Sequence, residues 1–185
     1  MAVPDAAFHA GAFGTWLADT QRAIRDGLDA LVPCGDCTAC CTSSQFVHIA
    51  PDETDALARI PAQLLFPAPG FPPGHVLMGY DERGHCPMFA DGRCSVYEHR
   101  PRTCRTYDCR VFAATDVVPE QPSIAARVKR WRFSFASEAD TAAHARVLQA
   151  AADGDTGARN ATERAVRAVV SAVDHGRGRE KPPYA

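Results

Sequence analysis

Eight cysteines in this 185-residue chain have the types and spacing to do chemistry. Cys34, Cys37, Cys40 and Cys41 form a C-x-x-C-x-x-C-C run, and Cys86, Cys94, Cys104 and Cys109 form a looser second group. A two-residue gap lets two thiolates turn toward one point, so such gaps recur in zinc and iron–sulfur sites. Three ligands at this spacing can cap one face of a metal centre, with the fourth drawn from Cys41 or from far along the chain. Adjacent cysteines project in different directions, which fits Cys40 and Cys41 to different metals or to different edges of one cluster. Cys86 precedes Pro87, as does the cysteine that completes the ferredoxin run. The radical S-adenosylmethionine spacing C-x-x-x-C-x-x-C is absent, and so are the paired knuckles of a zinc ribbon.

The rest of the composition narrows the chemistry. The N-terminus, Met1-Ala2-Val3-Pro4-Asp5, has no basic start and no long apolar run, so a cytoplasmic, reducing setting is expected. Clustered cysteines there read as ligands or redox groups, with a disulfide framework as the alternative. A net charge of −2 and no bilayer-length apolar run argue against nucleic acid and membrane as partners. Arg93, Arg100, Arg102, Arg105 and Arg110 sit among the ligands, where guanidinium groups offset thiolate charge and donate to sulfur. His48, His85 and His99 are further candidate ligands, read as bystanders beside so many thiols. Asp52 and Glu53 read as helix-start charges rather than catalytic acids. Arg127, Lys129, Arg130 and Arg132 alternate with Trp131 and Phe133, a pattern that fits inward packing of the aromatics better than base stacking.

The elements that must position these residues are short. Phe13, Leu17, Ile24, Leu28 and Leu31 predict an N-terminal amphipathic helix, capped by Asp5 and stopped at Pro33. A strand is expected over 45–49, a helix over 51–59, and an irregular connector over 61–79 because of Pro61, Pro67, Pro69, Pro72 and Pro73. Asp91-Gly92 signals a hairpin, and Pro101 the first turn of a short helix. The segment 124–135 fits a helical face or a strand equally well. Ser137 with Asp140, and Asn160 with Glu163, predict caps of two closing helices. The first runs to about Ala151 before Asp153-Gly154-Asp155. The second carries Val166, Val169, Val170 and Val173 and ends at Gly176.

The cysteine motifs closely resemble the YkgJ-like cysteine-cluster family, the CxxCxxCC zinc- or iron-chelating domain. Beyond the first run, the match includes Cys86-Pro87-Met88-Phe89, Cys94-Ser95-Val96-Tyr97-Glu98-His99-Arg100-Pro101 and Cys104-Arg105-Thr106-Tyr107-Asp108-Cys109, roughly residues 34–110. The resemblance implies that all eight cysteines bind metal and gives Tyr97, Arg100 and Arg105 a supporting role around the ligands. Its relation to the flagellin lysine N-methylases implies an iron–sulfur centre, such as 4Fe–4S, used in methyl transfer. No Gly-rich nucleotide loop accompanies it here.

The resulting expectation is a mainly α fold with a small β-hairpin and an irregular, metal-stabilised cysteine-rich centre. Residues 1–33 form the N-terminal helix, 34–110 the metal-binding region, 111–176 a helical region packing on it, and 177–185 a frayed tail, all in one domain. The expected cofactor is zinc or an iron–sulfur cluster. An enzyme using the cluster for methyl transfer or redox chemistry and a zinc-stabilised interaction module are the alternatives.

Overall fold

The computed structural model describes residues 7–153 and 157–172. Phe8–Ala12 forms strand β1 and runs directly into helix α1, Phe13–Asp26. The helix stops well before Pro33, because Gly27 takes the left-handed conformation (φ 65°) and donates its N–H to the Ala23 carbonyl. Glycine adopts this conformation without a Cβ clash, so it ends the helix at little cost. The predicted apolar face is corrected accordingly. Phe13, Trp16 and Leu17 are buried, while Leu28 and Leu31 lie past the helix with exposed side chains. Asp5, the expected cap, lies outside the described residues.

Strands β2 (Val47–Ile49), β3 (Leu65–Pro67) and β4 (Val76–Met78) form an antiparallel sheet in the order β2-β4-β3. The proline-rich stretch 61–79 is therefore a hairpin rather than an irregular connector. Pro67 closes an edge strand, where its missing N–H breaks no ladder bond, and Ala68 N–H donates to the His75 carbonyl at 3.0 Å across the base of the loop. Strand alternation turns Val47, Ile49 and Met78 inward onto Ala56 and Ile60, making a small second core. Ala56 belongs to helix α2, Thr54–Arg59.

Strands β5 (Phe89–Ala90) and β6 (Arg93–Cys94) are joined by Asp91 and Gly92, both at positive φ, as their sequence predicts. Helix α3 (Arg102–Thr106) starts just after Pro101, and α4 (Arg110–Thr115) follows Cys109. The ambiguous segment uses both periodicities in turn: α5 (Pro122–Val128) is helical and β7 (Trp131–Ser134) is extended. β7 pairs in parallel with β1.

Helices α6 (Glu138–Ala152) and α7 (Ala161–Ser171) carry the predicted caps. Asp140 N–H donates to Ser137 Oγ and Glu163 N–H to Asn160 Oδ1. Gly154, Asp155, Val173, Gly176 and the tail 177–185 lie outside the described residues. The main core unites both ends of the chain, with Phe13, Trp16, Phe112, Ile124, Trp131, Val147 and Val169 together. The fold is mainly α, as expected, but the described residues form three small sheets instead of one hairpin. Among the described residues, no helix is long and apolar enough to cross a membrane.

Candidate metal centre

The first cysteine run is pinned from several directions. Ala30 N–H donates to the Arg105 carbonyl (2.9 Å) and Arg110 Nη2 to the Leu31 carbonyl (3.0 Å), which fixes the approach to Cys34. Residues Ala39–Thr42 then wind into a single 3₁₀ turn. Ser123 Oγ reaches from α5 to the carbonyls of Ala39 (3.2 Å) and Thr42 (3.4 Å), while Ser43 Oγ donates to the Cys40 carbonyl. The second group is tied in by Cys86 N–H, which donates to the Cys41 carbonyl at 2.8 Å. Cys94 sits opposite Phe89 in the β5–β6 hairpin.

All eight cysteines are free thiols, which sets aside the disulfide framework among them. Their electrostatics sort them into two sets of four. Cys40 is pushed up by burial and then by Cys109, Cys34 and Cys37, with Cys41 weaker. Burial raises Cys109 to about 11, opposed by the Trp131 hydrogen bond and reinforced by Asp108, Cys34 and Cys37. Burial also raises Cys34, with Cys37 adding to it and the Arg127 guanidinium opposing. Cys41 instead rises to about 11 by burial, then through Cys94 and Cys86, with Cys37 and Cys34 weaker. Cys104 rises to about 12 by burial and through Cys86, Cys41 and Cys94, with Arg100 opposing. Cys86 is raised by burial and by Cys94, against a hydrogen bond from the Met88 backbone. Cys40 and Cys104 keep exposed surface, so solvent moderates the rise at these two. The sets are Cys34, Cys37, Cys40, Cys109 and Cys41, Cys86, Cys94, Cys104. The chain switches from one set to the other between adjacent residues Cys40 and Cys41, as side chains projecting in different directions require.

Among the described residues, no three Cys, His, Asp or Glu side chains are placed so that they could hold a metal ion. The donor chemistry nonetheless fits a metal. Each set offers four sulfurs, the complement of a tetrahedral zinc ion or of a cubane iron–sulfur cluster. Each thiolate opposes the ionisation of its neighbours, and a bound cation relieves that opposition.

The surrounding side chains differ in part from expectation. Arg100 stacks over the Tyr97 ring at 3.9 Å and acts on Cys104, but Arg105 turns to Asp29 (3.3 Å) and Arg102 to Asp52 (2.7 Å). Arg110 is buried against Asp108 (2.8 Å) and donates to the Ala10 carbonyl, while Trp16 Nε1 donates to Asp108 at 3.0 Å. Glu53 is a structural clasp whose carboxylate accepts from the backbone N–H groups of Ala50 and Arg102. His48 bonds His75 (2.9 Å), His99 bonds Asp55 (2.6 Å) and His85 packs edge-on to Phe89. The residues that sequence reasoning missed come from α5 and β7. Trp131 Nε1 lies 3.2 Å from Cys109 Sγ, and Arg127 Nη2 donates to the Cys34 carbonyl at 3.2 Å. Trp131 and Phe133 do pack inward, as their alternation predicts.

Residues 33–122 match the family model CxxCxxCC, described as a "Putative zinc- or iron-chelating domain". Over this segment, a little under half of its length, the chain is similar to the CxxCxxCC family. It contains all eight cysteines, and a zinc or iron–sulfur cofactor fits the family description. No curated protein and no solved structure compared with the chain gave a match. The CxxCxxCC segment ends at residue 122, so most of α5 and all of β7, which touch the Cys34 set, lie beyond it.

Proposed function

We propose that this CxxCxxCC protein holds two metal centres, each bound by four cysteines. Cys34, Cys37, Cys40 and Cys109 hold one, and Cys41, Cys86, Cys94 and Cys104 hold the other. The observation that supports this reading is that Cys40 and Cys109 are raised chiefly by burial with Cys34 and Cys37 beside them, while Cys104 is raised by burial with Cys86, Cys41 and Cys94 beside it. Each centre takes a zinc ion or an iron–sulfur cluster. When bound, the metal supplies structural cross-linking or, in an iron–sulfur cluster, one-electron transfer.

Four protein thiolates complete a tetrahedral zinc ion and leave no open position for a substrate. This favours a structural or electron-transfer role over the methyl-transfer enzyme. A zinc-stabilised interaction module fits the same donor set and differs only in the metal found.

Anaerobic purification with metal and sulfide analysis and an absorption spectrum tests the reading. About two zinc ions per chain in a colourless protein supports structural centres. Iron with equal sulfide and charge-transfer bands supports clusters. Cys109→Ala and Cys94→Ala should each remove about half the metal, and the double variant nearly all of it. Loss of all metal in either single variant would sink the two-centre division.

A further inference from the structure

The two sets of thiols do not share the same surroundings. Over the Cys34 set lies a shelf built from α5 and β7. Its first component is the Trp131 indole, buried at 3% exposure, with Nε1 directed at Cys109 Sγ at 3.2 Å. Its second is the Arg127 guanidinium, also buried, which lies 3.3 Å from the Phe8 ring centroid and 4.6 Å from that of Trp131. The Phe8 and Trp131 rings pack together at 5.8 Å, so the parallel β1–β7 pair holds both faces of the shelf. Arg127 Nη2 bonds the Cys34 carbonyl, and its Nε is buried without a hydrogen-bond partner. On the Cys41 set, the half-buried Arg100 acts on Cys104, and that guanidinium is engaged with Tyr97.

We propose that Trp131 and Arg127 are positioning residues for the Cys34 centre. The indole N–H donates to the Cys109 sulfur, and the guanidinium holds the Cys34 backbone and offsets thiolate charge. The Cys34 centre is the guarded one, and the Cys41 centre is the one that exchanges and reacts first. This rests on the two-centre reading above.

The physical reason is the lone pair. A thiolate that accepts a hydrogen bond gives up electron density, so it becomes a weaker nucleophile toward electrophiles. The buried cation beside it acts in the same direction and is screened less than a surface charge. Both residues follow residue 122, so this guard is a feature of this chain added to the CxxCxxCC segment.

The test is pulse alkylation of the metal-loaded protein with iodoacetamide, read cysteine by cysteine by mass spectrometry. In the wild type, Cys41, Cys86, Cys94 and Cys104 should react ahead of Cys34, Cys37 and Cys109. Replacing Trp131 with benzothienylalanine keeps the ring shape and removes the donor. It should raise the Cys109 rate roughly three- to tenfold, the range of one net hydrogen bond, with the Cys41 set and the melting point unchanged. Trp131→Phe, which also changes packing, serves as the genetically simple partner. An unchanged Cys109 rate with benzothienylalanine overturns the proposal, and so does an equal rise in both sets. Metal content is measured on the same samples. If the wild type holds no metal in either set, the two-centre reading fails by itself.

Discussion

Replacing Arg110 with methionine should be among the most damaging single changes in the molecule, and the damage should be partly reversible by a second change. Arg110 and Asp108 are both buried, at 8% and 7% exposure. The guanidinium donates through Nε and Nη2 to Asp108, through Nη1 to the Ala10 carbonyl and through Nη2 to the Leu31 carbonyl. It therefore ties β1, the loop entering Cys34 and the Cys109 corner together. Arg110→Met leaves a buried carboxylate with only Trp16 Nε1 and the residue 110 backbone N–H as partners, and two carbonyls without their donor. Breaking a buried ion pair from one side costs about 3–5 kcal/mol. The surviving donors to Asp108 place this case near the lower end, or about 6–12 °C in melting temperature for a chain of this size.

Adding Asp108→Asn to Arg110→Met removes the stranded charge and keeps an acceptor for the indole. About 1 kcal/mol per orphaned carbonyl then remains, so the double variant should be more stable than Arg110→Met alone. Urea unfolding followed by tryptophan fluorescence measures this, on metal-loaded and metal-free protein in parallel, because metal binding adds to apparent stability. A double variant equal to or worse than the single would refute the assignment of the loss to an unpaired buried carboxylate. A single variant within about 1 kcal/mol of wild type would refute the view that the clamp is a structural junction.

Removing metal from the anaerobic protein should speed hydrogen exchange across 34–41 and 86–109 and leave α6 and α7 protected, a pattern checked by mass spectrometry. Gly84 sits at φ +79°, and a Cβ added there would run into Ser44 Oγ. Gly84→Ala should thus disturb the turn before Cys86 and lower metal retention in the Cys41 set first, read by metal analysis. Glu163 is held down to about 2 by the Arg159 backbone and side chain, with Arg167 adding to it. A carboxyl depressed in the folded state stabilises above its ordinary pKa, near 4.5, and that stability is lost as pH falls toward 2. Exchange protection of α7 should fall across that window in wild type and lose this dependence in Glu163→Gln. Ser137→Ala should cost about 1 kcal/mol by removing the cap of α6, seen in the urea midpoint.

The parts legible in the sequence were those set by local chemistry. Ser137 and Asn160 marked helix starts because a side-chain oxygen serves a backbone donor a few residues away, and Asp91-Gly92 marked a turn because both residues tolerate positive φ. What escaped was set by distant partners. β1 is extended because it pairs with β7, more than a hundred residues away, and no local period announces that. The prolines of 61–79 concealed a hairpin because they occupy its edge and turn, where lost donors are tolerated. Trp131 was legible as a core aromatic, but its N–H found Cys109 only through that same parallel pairing.

The two thiol sets are also anchored in different hydrophobic cores, which gives the CxxCxxCC run a mechanical meaning. Cys109 is a member of the main core, with Tyr107, Val32 and Ala39 packed against it, while Cys86 and Met88 pack against the small core under β2 and β4. The first cysteine run lies between them in the chain: Cys40 interacts with Cys109 of the main core, and Cys41 with Cys86 beside the small one. Metal in the Cys34 centre would lock the run to the main core, and metal in the Cys41 centre would lock it to the small one. Filling both would add to the bonds that already tie the two regions together, such as Cys86 N–H to the Cys41 carbonyl and Thr103 Oγ1 to the His48 carbonyl. Cooperativity follows from that arrangement. Emptying one centre should weaken metal retention in the other, because the short 3₁₀ turn between them cannot reorganise on one side without moving its neighbour. Chelator-driven release from Cys94→Ala, which keeps only the Cys34 centre, should therefore be faster than release from that centre in the intact protein. Equal rates would mean that the two cores move independently and that the run between them transmits nothing.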